Sequence, residues 1–331
     1  MARTTPPRPV DVSVEFPELA GSARTAVRLH PVPGAPTVHD SSVGGPLLWP
    51  ADEEWPVFES PGLPFMPVTT LADIRELRTL LTLPEPTPAQ RLAVTRLMDG
   101  YDAEDITSSG PMPLIPVAQL YARDVPGLPF PEGTDVLQVL WLPLPDIEGC
   151  WPAVQLRWRA AAEVRQVLAE PPEPAYVELD DHVPQPCLLQ PEEILEFPPL
   201  HLLGEELQQR ITAWSKRASL EYQWELSVAP GWKAGGWPAE FTFRDPAEPD
   251  DELCCGECGG PVEALLTVGG GERGSGGGSW TAVELRELVE ADPGAYPLAY
   301  EPTRIQIGRG YVLQFYYCLA DPRHLPRTIM Q

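Results

Sequence analysis

The sequence predicts an α+β fold of mostly antiparallel sheets, internally duplicated into two lobes, with helices inserted between shared strands. Three observations carry this expectation. Matching motifs recur in the same order in both halves; the apolar runs between prolines are short and rich in β-branched and aromatic residues; and several longer segments place apolar residues at helical spacing behind N-cap signals.

The repeat comes first, because a missed repeat misassigns the whole fold. "SSVGGPLLWP" (41–50), "PMPLIPVAQL" (111–120) and "GTDVLQVLWL" (133–142) are followed in the second half by "WKAGGWPAEF" (232–241), "GGPVEALLTV" (259–268) and "GRGYVLQFYYC" (308–318). Each half therefore reads as a Gly-Gly loop with Trp-Pro nearby, an apolar strand after a proline, and a strand built on Val-Leu-Gln. The division that follows is an N-terminal extension at 1–26, a first lobe at 27–170, a linker with a bridging helix at 171–228, and a second lobe at 229–331.

Helices fill the intervals. "TTLADIRELRTLLTL" has Leu71, Ile74, Leu77, Leu80 and Leu81 on one face. Thr87 with Pro88 and Gln90 forms an N-cap, a proline at N1 and a capping-box partner, and Gly100 ends that helix. Thr281 and Glu284 suggest the same box ahead of "AVELRELVEAD", which ends before Pro293. "GEELQQRITAWSKRASLEYQWEL" is the longest helical segment and is expected to bridge the lobes. The proline-rich stretch "LAEPPEPAYVELDDHVPQPCLLQPEE" reads as an irregular crossing. "GGGERGSGGGSW" reads as a flexible loop. Gly269, Gly271 and Gly274 within it match G-x-G-x-x-G, but "SGGGS" intervenes where a dinucleotide-binding helix should open.

Composition limits the partners. The 48 acidic against 23 basic residues give a net charge of -25, which repels phosphate backbones and anionic lipid surfaces. Nucleic acid and membrane are excluded as partners on this ground. A basic protein is the better electrostatic match, beside the plainer reading that the charge keeps the protein soluble. No stretch approaches a membrane span and the first residues lack an apolar signal region, so a cytoplasmic location is expected. Six cysteines are too few for a disulfide scaffold; in a reducing compartment their clustering points to metal binding or catalysis.

"VGGPLLWPADEEWP", "MPLIPVAQL", "VLQVLW", "KAGGWP", a C-x-x-C, "VLQF" and the closing "CLADPRHLPRTIMQ" together resemble the YwqG-like proteins, a bacterial family of undefined biochemical function, in the order seen in its actinobacterial subgroup. The resemblance runs from about residue 27 to the end. It implies an α+β fold of duplicated, mostly antiparallel sheets and supplies no catalytic residues. It also implies an immunity-type role, since some relatives sit near secreted toxin systems.

The chemistry concentrates at "DELCCGECGG". Cys255 and Cys258 form a C-x-x-C in which an intervening glycine, Gly256, permits the turn that aims two thiolates at one tetrahedral zinc, a zinc-ribbon-like knuckle. Cys318, sixty positions on in "YYCLADPRH", is the third ligand. The family resemblance implies a cysteine where Asp321 stands, so the fourth ligand is taken as His324, with Asp321 as its alternative and Cys254 after that. A redox pair would need a helix after the C-x-x-C, where a strand is expected; three unligated cysteines remain the other reading. Cys150 and Cys187 lack partner spacing.

Trp-Pro occurs at Trp49, Trp55, Trp151 and Trp237. Rigid aromatic loops at Trp49, Trp55 and Trp237, beside Gly44, Gly45, Gly235 and Gly236, suit the walls of a binding groove, or else caps over sheet ends. Asp180, Asp181 and His182 suit a hard-metal or acid-base site, or a solvated loop. No H-E-x-x-H, G-x-S-x-G or G-x-x-x-x-G-K is present. The sequence thus favours a non-catalytic binding protein that holds a protein partner, with toxin neutralisation as its sharper form. The alternative is a metal-dependent, hydrolase-like enzyme using an open zinc position.

Overall fold

A computed structural model describes residues 2–59, 67–102, 110–144, 152–178, 180–239, 253–273 and 278–330. In chain order the strands are β1 (Arg24–Arg28), β2 (Val32–Pro33), β3 (Ser42–Val43), β4 (Val57–Phe58), β5 (Met112–Pro113), β6 (Ile115–Tyr121), β7 (Val136–Trp141), β8 (Val154–Arg159), β9 (Cys187–Leu188), β10 (Glu192–Glu196), β11 (Lys233–Gly235), β12 (Val262–Gly269), β13 (Val312–Cys318) and β14 (Arg327–Met330). They build two six-stranded sheets, β2-β9-β3-β6-β7-β8 and β10-β1-β11-β12-β13-β14, and a small β4-β5 ribbon. The pairings among them are antiparallel. The fold is therefore α+β with mostly antiparallel sheets, as the sequence predicts.

The two sheets share details of register. Gln119 pairs with Gln138 between β6 and β7, and Thr267 pairs with Gln314 between β12 and β13. A bulge sits just before each pair, between Pro116 and Ala118 in the first sheet and between Ala264 and Leu266 in the second. Gln138 and Gln314 are fully buried. Buried amides persist only when satisfied: Gln138 donates to the Leu48 carbonyl and Gln119 Oε1 (both 2.9 Å), and Gln314 donates to the Leu266 carbonyl at 3.1 Å and accepts from Thr267 at 2.7 Å.

Segments of sequence are not confined to one sheet. β1 pairs with β10 and β11 in the later sheet, whereas β9 joins β2 and β3 in the earlier one. One core cluster takes Val43, Val117, Leu137 and Trp141 from the first sheet and Val27, Leu265, Leu313 and Phe315 from the second. Packing across that shared core is what couples the halves.

The helices α1 (Val12–Glu15), α2 (Leu71–Leu81), α3 (Pro88–Asp99), α4 (Glu205–Ala218), α5 (Val283–Ala291) and α6 (Tyr296–Tyr300) surround the sheets. α3 opens with the expected reciprocal box between Thr87 and Gln90. α5 does not: Ala282 is its N-cap and makes no side-chain cap bond, and Glu284 accepts instead from the Thr4 amide at 2.9 Å. A distant partner has displaced the local one. α4 is the longest helix described, ends at Ser219 in the left-handed region, and buries Ile211 and Trp214 against Val12, Phe16, Leu19 and Tyr222. It thereby fastens residues 12–22 over the end of β10.

Candidate functional site

The candidate metal ligands come from the loop before β12, from the last residue of β13 and from the loop after it. These strands are paired, Val262 opposite Cys318, so both loops leave the same sheet end. The Cys255 amide donates to the Gly260 carbonyl at 2.8 Å and the Gly259 amide to the Cys255 carbonyl at 2.9 Å, closing a knuckle. The left-handed residue that makes this turn is Gly259, φ 68°, not Gly256. At Gly256 a Cβ would meet only Arg327 at 3.9 Å, so its role in the turn is corrected.

The donor atoms of Cys255, Cys258, Cys318 and His324 lie within 4.8 Å of one another and can hold a metal ion. Cys258 Sγ is 3.5 Å from Cys318 Sγ, and Cys255 Sγ is 3.4 Å from His324 Nδ1. A tetrahedron with zinc–sulfur and zinc–nitrogen bonds of ordinary length has edges of roughly 3.5–3.8 Å, close to both contacts. The Cys258 backbone amide pulls the Cys255 thiol below its usual range, and the Asp321 amide does the same for Cys318. The Gly260 amide also favours the Cys258 thiolate, but the neighbouring Cys318 and Cys255 outweigh it and raise that thiol.

His324 takes the fourth place. The Asp321 carboxylate is engaged in its own turn, accepting from the Arg323 amide at 2.9 Å, and its carbonyl accepts from the His324 amide at 3.1 Å. Asp321 thus positions the ligand loop. Cys254 forms an isolated bridge with Pro261 and lies outside the donor cluster. Cys187 is buried against the Pro302 carbonyl, and burial pushes its thiol up to about 12. Cys150 and Trp151 fall outside the described residues.

The aromatic groove candidates are placed differently from one another. Trp49 and Trp55 are buried, 4.9 Å apart between ring centroids, and donate to the carbonyls of Glu53 and Leu114. Half-buried Trp237 donates to the Ser22 carbonyl beneath the Arg24 guanidinium. Trp49 and Trp55 thus belong to a buried cluster with Met112, Leu114 and Leu140. Gly44, Gly235 and Gly236 have positive φ, and a Cβ on Gly236 would strike the Glu196 carboxylate. A Cβ on Gly45 would meet the Pro36 ring at 2.6 Å. Gly44, Gly45 and Gly236 thus serve close packing, whereas a Cβ on Gly235 would meet only the Thr25 carbonyl at 3.9 Å.

A cavity of about 990 Å³ opens elsewhere, at the loop end of the second sheet, between Trp224, Tyr296, Tyr300, Arg304, Asp180 and Asp181. Burial, then the neighbouring Asp180, raises the Asp181 carboxyl. His182 turns the other way into the interior, where burial holds its pKa down to about 4.

Sequence reasoning missed two buried ionic groups. Lys233 and Glu196 are fully buried and joined at 2.7 Å, and Glu196 also accepts from the amides of Ala229 and Trp237. Nearby, Arg28 and His30 converge on Glu272, with His30 Nε2 also 3.0 Å from Glu192. Burial works to raise Glu272, but His30, Arg28 and the Trp232 amide outweigh it and leave it lowered. Glu272 sits in the glycine-rich stretch expected to be a flexible loop; there it is 2 % exposed, and a Cβ on Gly231 would strike its carboxylate. No local pattern announces such residues, because their partners are distant strands. Neither the family models nor the curated proteins compared with this chain match it.

Proposed function

We propose that the chain is a non-catalytic, cytoplasmic binding protein that holds a protein partner and carries a structural zinc ion in its second half. The observation that carries the reading is the donor set: Cys255, Cys258, Cys318 and His324 lie within 4.8 Å of one another, enough to supply all four ligands of a tetrahedral ion. Zinc supplies folding energy in such a site, and no coordination position is left for substrate, which weighs against the metal-dependent hydrolase. A net charge of -25 favours a basic partner. The immunity-type role suggested by the YwqG-like resemblance is the sharper form of this reading. Among the described residues no helix is long and apolar enough to cross a membrane, in keeping with it.

Internal duplication belongs to the same proposal. Its support is the matching order β3-β6-β7-β8 and β11-β12-β13-β14 and the bulge that precedes each buried pair. Elemental analysis and pull-down at graded salt test the functional reading together. Near one zinc per chain and a salt-sensitive protein partner are expected; metal-free folded protein, or no partner at low ionic strength, would refute the corresponding half.

A further inference from the structure

Residues 2–10, "ARTTPPRPV", form no helix or strand, yet residues far along the chain hold them. The Thr4 carbonyl accepts from the Val283 amide at 3.0 Å, and the Thr4 amide donates to Glu284 at 2.9 Å. The Thr5 amide donates to Glu192 at 3.0 Å, and its hydroxyl accepts from Arg28 at 2.9 Å. Arg8 lies over the Trp280 ring, 3.5 Å from its centroid, and donates to the carbonyls of Glu225 (3.1 Å) and Ser279 (3.0 Å). A guanidinium stacked on an indole and clamped by two carbonyls is a recognition contact.

The rest of the segment fits loosely. Pro6, Pro7 and Pro9 border a cavity of about 620 Å³ with Val289, Arg286 and Thr281, whose buried hydroxyl has no hydrogen-bond partner among the described residues. Three prolines in four positions keep a chain extended with little ordering entropy, the property that aromatic grooves exploit in binding proline-rich peptides. The Glu192 and Glu284 carboxylates hold the backbone amides of Thr5 and Thr4, and Glu225, Arg273 and Arg286 line the cavity beside the prolines.

We infer that the groove floored by Trp280 is a docking site for an extended, proline-rich, arginine-bearing segment of a partner polypeptide, and that residues 4–9 occupy it in cis. The inference rests on the reading as a binding protein. A protein that captures a partner but ignores such a peptide refutes the groove alone.

The test is fluorescence anisotropy of a labelled peptide, ARTTPPRPVD, against the full-length protein and its Arg8→Ala variant. With its own segment loosened, the variant should bind the peptide about tenfold more tightly than wild type. A peptide with alanine for that arginine should bind neither. A folded Arg8→Ala protein that ignores the peptide overturns the proposal, and so does its concentration-dependent dimerisation, which would assign the groove to segments exchanged between copies. If the variant does not fold, amide exchange of the wild type decides. Val283 exchanging well ahead of Phe315 supports a displaceable segment, and exchange of both only together overturns it.

Discussion

Cys258 Sγ lies 3.5 Å from Cys318 Sγ across sixty positions of sequence, because β12 and β13 are paired and their loops meet at one end of the sheet. Cys258→Ser and Cys318→Ser should each abolish zinc binding measured by elemental analysis and lower the melting temperature. Asp321→Ala and Cys254→Ser should keep near one zinc per chain. Loss of the metal in Asp321→Ala at unchanged fold would return the aspartate to the ligand set.

Lys233 and Glu196 are both fully buried in the second sheet. Glu196→Leu leaves an ammonium uncompensated in the interior and should cost about 3–5 kcal/mol in urea denaturation. Lys233→Met added to that change should recover much of the loss, because the charge left behind is the larger penalty.

His182 gives the protein a pH dependence near neutrality. Its pKa in the fold is about 4 against 6.5 for the free side chain, so protonation favours the unfolded chain. Stability is full above pH 6.5 and falls as pH drops from 6.5 to 4, by about 3 kcal/mol in all. In His182→Gln the decline measured between pH 7 and 5 should be shallower.

A second, more acidic limb comes from Glu272 and Glu192, both held below the usual 4.5 in the fold. Burial opposes the shift at each, and the His30 and Arg28 contacts of Glu272 and the Thr5 hydrogen bonds to Glu192 overcome it. The stability they confer is complete above pH 4.5 and is lost as pH falls through their lowered values. Glu272→Gln should lower stability at pH 7 and flatten the profile below pH 4.5; an unchanged acid limb would refute the role given to Glu272.

The two threonines expected to cap helices should behave differently. Thr87→Ala removes a formed capping box and should cost about 1 kcal/mol. Thr281→Val removes a buried hydroxyl that has no partner among the described residues, and should stay within about 0.5 kcal/mol of wild type or stabilise.

Much of this molecule was legible in its sequence, and the legible parts share a cause. The α3 box, the Val-Leu-Gln strands and the knuckle at Cys255 and Cys258 depend on neighbours within a few positions, so periodicity and spacing report them directly. The third ligand, Cys318, was reachable because it ends one of those strands. Only the tertiary structure decided which residue completed the donor set: Asp321 is spent on its own turn, which delivers His324 to the cluster. It alone also decided that Trp49 and Trp55 fill the core, that Glu284 accepts from the Thr4 amide, and that Glu272 in a glycine-rich loop meets Arg28 and His30. For Glu272 the partners lie far away in sequence, and burial, which forbids an unpaired charge, made the choice.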